Sequence, residues 1–175
     1  MTVLRSLAAY LSVLITSMAV VACQDEPLDV APVELSRMQG RWFEIAKLPR
    51  PSQAGCSGTT AEYHMKSTSE LLVVNECHEG DLQGPIRRAA ARAVATDPSV
   101  PAKLSLDFGF AYGDFWILEV GAEYEYAVIG HPTRNYLWIM SRAPRLPRET
   151  LDGVLQRAKA RGFPTGILSY TEQAP

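Results

Sequence analysis

From residue 41 onward the chain is cut into short strand-forming stretches separated by turn chemistry. This leaves little room for anything but a β architecture. The stretches are 41–47, 59–65, 71–76, 87–95, 103–108, 114–120, 126–130 and 136–141. Between them stand Pro-Arg-Pro-Ser, Lys-Ser-Thr-Ser, Glu-Gly-Asp, Asp-Pro-Ser, Ala-Tyr-Gly, Gly-Ala-Glu and His-Pro-Thr-Arg-Asn, built from residues that supply turns. Three stretches alternate clearly. In 88–95 the arginines fall on even positions and alanines on odd ones; 103–108 and 61–65 switch polar and apolar residue by residue. A period of two sends one set of side chains to a core and the other to water. Eight such strands with short connections predict an all-β fold, an antiparallel up-and-down meander closed into a barrel. Residues 147–162 break the pattern. Leu151, Val154, Leu155 and Ala158 recur at helical spacing, with Pro147 near the start and Gly162 just past the end. One C-terminal helix packed outside the barrel is expected, with a last strand over 167–170.

The amino terminus reads as an address. Arg5 precedes an uncharged, mostly apolar run over 7–22, the pattern of a secretory signal. At about 16 residues the run is short against the ~20 that span a bilayer. Val20-Val21-Ala22-Cys23 resembles the bacterial lipoprotein processing box, in which the Cys thiol takes a diacylglyceryl group before cleavage. The expected organisation is a lipoprotein signal peptide over 1–22, a polar tether holding two prolines over 23–33, and a barrel domain over 34–175. Cys23 is the expected lipid attachment and membrane anchor. By resemblance to enterobacterial sorting, Gln24 in place of Asp points to the outer membrane, with the barrel facing the periplasm.

Cysteine arithmetic agrees with this reading. Lipid on Cys23 leaves Cys56 and Cys77 as a pair, which an oxidising compartment lets bridge. They flank the hairpin formed by 59–65 and 71–76. If Tyr63 opposes Val73, Cys56 falls opposite residue 80, so a bridge needs the chain before Thr59 to bend back.

Composition excludes other classes. With 17 basic and 19 acidic residues there is no basic surplus to recommend nucleic acid. His64, His78 and His131 have no ligand spacing, so neither metal nor cofactor is expected. Thiol catalysis would need Cys56 or Cys77 activated by a neighbour. His78 adjoins Cys77, but adjacent strand residues face opposite sides. Glu76 and Glu79, at a hairpin end, read as solvated charge. No catalytic residue is assigned, and an enzyme is not expected.

Gly40-Arg41-Trp42-Phe43-Glu44-Ile45-Ala46-Lys47 opens the first strand. Tyr126-Ala127-Val128-Ile129-Gly130 and Arg134-Asn135-Tyr136-Leu137-Trp138-Ile139-Met140-Ser141-Arg142 follow much later. Together these elements resemble the lipocalin family, most closely its bacterial outer-membrane lipoprotein branch, which is similar to the apolipoprotein D type. The resemblance covers about residues 34–170. It implies an eight-stranded barrel, closed at one end and open at the other, holding a small apolar ligand. It also implies that Trp42 plugs the closed end under Arg142, while Gly40 turns the chain into the strand. The family's Thr-Asp-Tyr is absent; Ala122-Glu123-Tyr124 stands in its place.

Parity supplies a cavity. If Arg142 points in, so do Met140, Trp138 and Tyr136. The alternations add Ala61, Tyr63 and Met65, then Ala89, Ala91 and Ala93, then Leu104, Leu106 and Phe108. Leu71 and Val73, Trp116 and Leu118, and Ala127 and Ile129 complete the inward set. The expected ligand contacts are Ala61, Tyr63, Val73, Ala91, Leu104, Leu106, Phe108, Trp116, Leu118, Tyr136, Trp138 and Met140. Aromatics around a space kept open by alanines suit a fatty acid or lysophospholipid. Two alternatives stand beside this. One is an envelope scaffold with a filled barrel, touching partners through Phe110 and Tyr112. The other is a thiol-dependent lipid isomerase. A homodimer is compatible with the sequence.

Overall fold

The computed structural model describes residues 27–109 and 111–174. The expected signal peptide, Cys23 and Phe110 lie outside them. A short helix α1 (Leu35–Met38) leads into β1 (Gly40–Lys47). Then come β2 (Cys56–Ser67), β3 (Glu70–Glu79), β4 (Ile86–Ala95), β5 (Lys103–Asp107), β6 (Tyr112–Val120), β7 (Tyr126–Gly130) and β8 (Leu137–Ser141). Helix α2 (Arg148–Ala160) and a two-residue β9 (Ser169–Tyr170) finish the chain. From β1 to β8 each strand pairs antiparallel with the next, and β1 pairs with both β8 and β2, closing the barrel. The first half of β1 faces β2; its last residues, Ala46 and Lys47, instead take Tyr170 and Ser169 of β9.

The closed end is built around Trp42. Its indole is fully buried and its Nε1–H donates to the Met38 carbonyl at 2.8 Å. The Arg142 guanidinium lies 3.8 Å above the ring. It donates to the carbonyls of Arg41 (2.9 Å) and Arg37 (2.7 Å). One side chain thereby ties the end of β8 to β1 and α1. Gly40 sits at φ +93° with a would-be Cβ 3.5 Å from Arg142 Nη1, so the turn under the guanidinium favours a residue without a side chain. Tyr124, at φ +57°, donates no ladder bond; its hydroxyl accepts the Glu34 N–H at 2.9 Å and its ring lies beneath Arg37. The expected tether is corrected here. Within 27–33, Leu28 and Val33 are buried and Ala31 N–H donates to the Ile117 carbonyl, because apolar residues every few positions let the segment lie along the wall.

Two apolar layers result. One fills the barrel; the other, holding Ile45, Leu118, Val128, Leu137 and Ile139, lies between the outer wall and Val154, Ala158 and Phe163. Helix α2 ends as its sequence predicts. Gly162 (φ +85°) donates to the Lys159 carbonyl and Phe163 to that of Ala158, a Schellman closure that drives Phe163 inward. Phe163 fits because Gly130 has no Cβ; one placed there would lie 2.8 Å from the ring.

Glu119 clamps α2 to the wall. Its carboxylate takes Arg157 at 2.6 Å, Arg161 at 3.5 Å and the Tyr126 hydroxyl at 2.8 Å. Burial pushes its pKa up. The hydrogen bonds from Arg157 and Tyr126 and the arginine charges outweigh this and hold it below the usual range. A carboxylate depressed in the folded state binds fewer protons there than in the unfolded one. Its stabilisation is present above the unfolded value of about 4.3 and is lost as pH falls through the folded value. In urea unfolding, wild type should therefore exceed Glu119→Gln in stability at pH 7, and the gap should close below about pH 4. At the closed end, Arg142→Met keeps the aliphatic stem but loses the ring contact and both carbonyl bonds. It should cost about 2 kcal/mol in the same assay.

Candidate functional site

The inward set divides by depth. Near the closed end Trp42, Leu104, Ile117 and Ile129 have 0% of their surface exposed, and Tyr63, Ala61 and Val73 have 2%. This half is packed solid. Toward the open end the register still turns Asn75, Ala89, Gly113 and Trp138 inward, yet they are partly or fully exposed. The small residues at 89 and 113 fill little of that end, and Phe108 packs against the core beside them.

Five rings run from the packed half to the rim. Tyr63 and Phe115 meet edge to face with centroids 6.5 Å apart. Phe115 meets Trp138 at 6.0 Å, Trp138 stacks on Tyr136 at 6.1 Å and 11°, and Tyr136 meets His131 edge-on at 5.5 Å. Offset and edge-on pairs at these separations are the favoured aromatic geometries. Burial drives the Tyr63 hydroxyl well above its usual pKa, against a smaller opposing pull from Arg142.

A polar chain crosses beside the file. Trp138 Nε1–H donates to Gln53 Oε1 at 3.2 Å, and Gln53 Nε2 donates to Glu44 Oε2 at 3.0 Å. Glu44 Oε1 pairs with Lys47 and accepts from the Thr171 hydroxyl at 2.6 Å. Glu44 is 1% exposed and Lys47 5%, so this is a buried, hydrogen-bonded ion pair. It is reached because Glu44 follows Trp42 by two, and a bulge between Glu44 and Ala46 turns Lys47 the same way. Gln53 arrives from a single 3-10 turn over Pro51–Gln53 in the β1–β2 loop. Thr59 Oγ1 is a buried side-chain oxygen without a protein partner.

Most expected contacts face inward as expected: Ala61, Tyr63, Val73, Ala91, Leu104, Leu106, Trp138 and Met140 line or pack against the interior, with Phe108 beside them. Tyr136 lies one residue before β8, at the rim. Trp116 and Leu118 are corrected: both belong to the outer layer beneath α2, and their neighbours Phe115 and Ile117 face in. Alternation carried no signal in Phe115-Trp116-Ile117-Leu118 because the strand is covered on both faces. Phe115, Glu44, Lys47, Gln53 and Arg50 were not anticipated. Period two from Trp42 could have found Glu44; the loop residues carry no pattern.

Cys56 and Cys77 form a disulfide, with Cα atoms 5.5 Å apart. Tyr63 does oppose Val73, but Cys56 pairs with Glu79 rather than residue 80. Gly58 (φ +59°) and Thr59 together oppose Cys77, a bulge that shifts the register by one. The shift moves Cys56 onto the face of Cys77, diagonally across the ladder. Both candidate thiols are thereby tied up. Arg87 Nη2 reaches the Ser52 carbonyl and lies 2.7 Å from Cys56 Sγ, bracing the loop against the bridge.

With this geometry in place the kinship can be stated. A family model described as a lipocalin-like domain matches residues 33–173. The outer membrane lipoprotein Blc of Vibrio cholerae serotype O1 is 33% identical over 156 residues, 86% of this chain and 91% of that protein. Apolipoprotein D of Mus musculus is 27% identical over 150 residues, 81% and 77% of the two chains. Among solved structures, lobster apocrustacyanin A1 superposes with a TM-score of 0.65 at 18% identity, covering 80% and 79%, which speaks for the fold. The chain belongs to the lipocalin family.

Because Lys47 is buried with Glu44, removing one partner strands the other. Lys47→Met should cost about 3–5 kcal/mol in urea unfolding, and Glu44→Gln combined with Lys47→Met should recover part of that loss.

Proposed function

We propose that this protein carries or stores a single-chain amphiphile, a fatty acid or lysophospholipid, in the bacterial cell envelope. The observation that carries the reading is the gradient along the aromatic file. Below Trp138 the interior is mostly apolar, its polar groups being the Tyr63 hydroxyl and the paired Glu44 and Lys47, and hydrogen-bonding aromatic edges gather at the mouth. A chain entering past Trp138 gains roughly 0.8 kcal/mol per buried CH₂, offset by the cost of ordering it. Tyr136, Trp138, Phe115, Phe108 and Ala89 are the first contacts. Location rests on Val20-Val21-Ala22-Cys23 and on the outer membrane lipoproteins among the relatives. Acylated Cys23 would anchor the chain at the outer membrane, facing the periplasm. Among the described residues no helix is long and apolar enough to cross a membrane.

One observation favours a second reading. The half of the barrel around Trp42 has almost no open surface, as a scaffold with a filled core requires. Exposed Tyr112 and Ile86 near the open end could then serve a partner. The thiol isomerase lacks support, since its two candidate nucleophiles share one disulfide.

Native mass spectrometry with lipid extraction separates the two readings. It should be run on mature protein from a bacterial host, made without acylation. Near one fatty acid or lysophospholipid per chain is expected. A clean apo mass with no uptake of added lipid would overturn ligand carriage and favour the scaffold. Trp138→Ala should weaken uptake about tenfold while the protein stays folded. Cys23→Ala should release the chain from membranes to the soluble periplasm with ligand uptake intact.

A further inference from the structure

We propose that Arg50 is the head-group receptor of the barrel. A carboxylate or phosphate docks on the edge of its guanidinium at the rim, and the ligand chain descends past Trp138. This inference rests on the ligand-carrying reading above and narrows it to anionic heads.

Arg50 is held by ring contacts. Its guanidinium carbon lies 3.9 Å from the Tyr136 centroid and 5.1 Å from that of Trp138, the two stacked rings at the mouth. Packing through its face leaves the N–H donors on its edge. These form a planar fork that matches carboxylate and phosphate oxygens two at a time. Among the described residues no carboxylate lies within ion-pair distance of it.

Other arginines of the wall have acids. Across β3 and β4 Arg87 pairs with Glu79, Arg88 with Glu76 and Arg92 with Glu70. Lys47, a second cation near the mouth, is spent on Glu44. His131 has Asp114 at 3.9 Å. Arg50 alone among these is stacked on the aromatic file and lacks an acid. Beside it lies a depression of about 400 Å³ lined by Lys47, Gln53, Ala54, Cys56 and Ser169, with no acidic residue in its wall. Partial burial already makes the charge of Arg50 less favourable, lowering its pKa. An arriving anion offsets that desolvation, whereas an uncharged head offers nothing equivalent.

Binding of three ligands with one chain length tests this on the mature protein: a fatty acid, a lysophosphatidic acid and an uncharged monoacylglycerol. Each is titrated against wild type, Arg50→Gln and Arg50→Lys by quenching of tryptophan fluorescence. Arg50→Gln should weaken at least one anionic ligand roughly tenfold and leave the monoacylglycerol unchanged. Arg50→Lys should retain part of the preference. The anion that loses more names the source of the head, carboxylate or phosphate. Equal weakening of all three would reduce Arg50 to a packing role and overturn the proposal, as would anion affinities that ignore the substitution. If wild type binds none of the three, ligand carriage itself fails, a result distinct from binding that disregards the head.

Discussion

A barrel with no free edge needs one point at which first and last strands are locked, and here that point is the Arg142 guanidinium on the Trp42 indole. The ring plugs the interior from below while the guanidinium bonds main-chain carbonyls on both sides of the β1 entry. These carbonyls lie at the end of α1 and the start of β1, where ladder partners run out. The contact therefore gives these backbone groups a partner as well as adding a cation–π attraction. It also sets where the wall begins.

How far the sequence speaks depends on whether each strand has one wet face. In β2, β4 and β5 one face meets solvent; Tyr63, Ala91, Ala93, Leu104 and Leu106 could be placed inward from their spacing, and they are. In β6 both faces are covered, the outer one by α2, so four successive large apolar residues carried no parity and Trp116 and Leu118 were set on the wrong side. Bulges are the second source of error. A one-residue insertion turns the following side chains to the opposite face, and nothing in the pattern around Ile45 or Leu118 announces one. At Gly58 the signal was present, since a glycine inside a strand commonly marks a bulge. It is the bulge, and no bend in the loop, that brings Cys56 to Cys77.

The site is less legible than the wall because its chemistry comes from two kinds of position that hydropathy does not rank. Glu44 and Lys47 are charged residues pointing into an apolar interior, acceptable only because each satisfies the other with Gln53 and Thr171 completing the bonds. Gln53 and Arg50 lie on a loop whose path is set by Pro49, Pro51 and the disulfide-braced start of β2. Their side chains meet Trp138 and Tyr136 only after 80 or more residues of barrel have folded round. No window of sequence contains that juxtaposition.

The two ends of the barrel place opposite demands on the same wall, and the structure meets them by changing side-chain size along each strand. Around Trp42 the interior is filled to the exclusion of water, which supplies the apolar burial that holds so short a barrel together. Toward the mouth, Ala89 and Gly113 withdraw volume, and the rings that continue the file, Trp138, Tyr136 and His131, carry polar atoms. Space is thus left only where it does not subtract from closure. The charges Glu44 and Lys47 are admitted to the interior because each pairs with the other. A ligand seated at the mouth would add apolar contacts at the end where the inward side chains are most exposed. Occupancy and order at the mouth are therefore coupled, since whatever binds the folded cup and not the unfolded chain stabilises the cup by mass action.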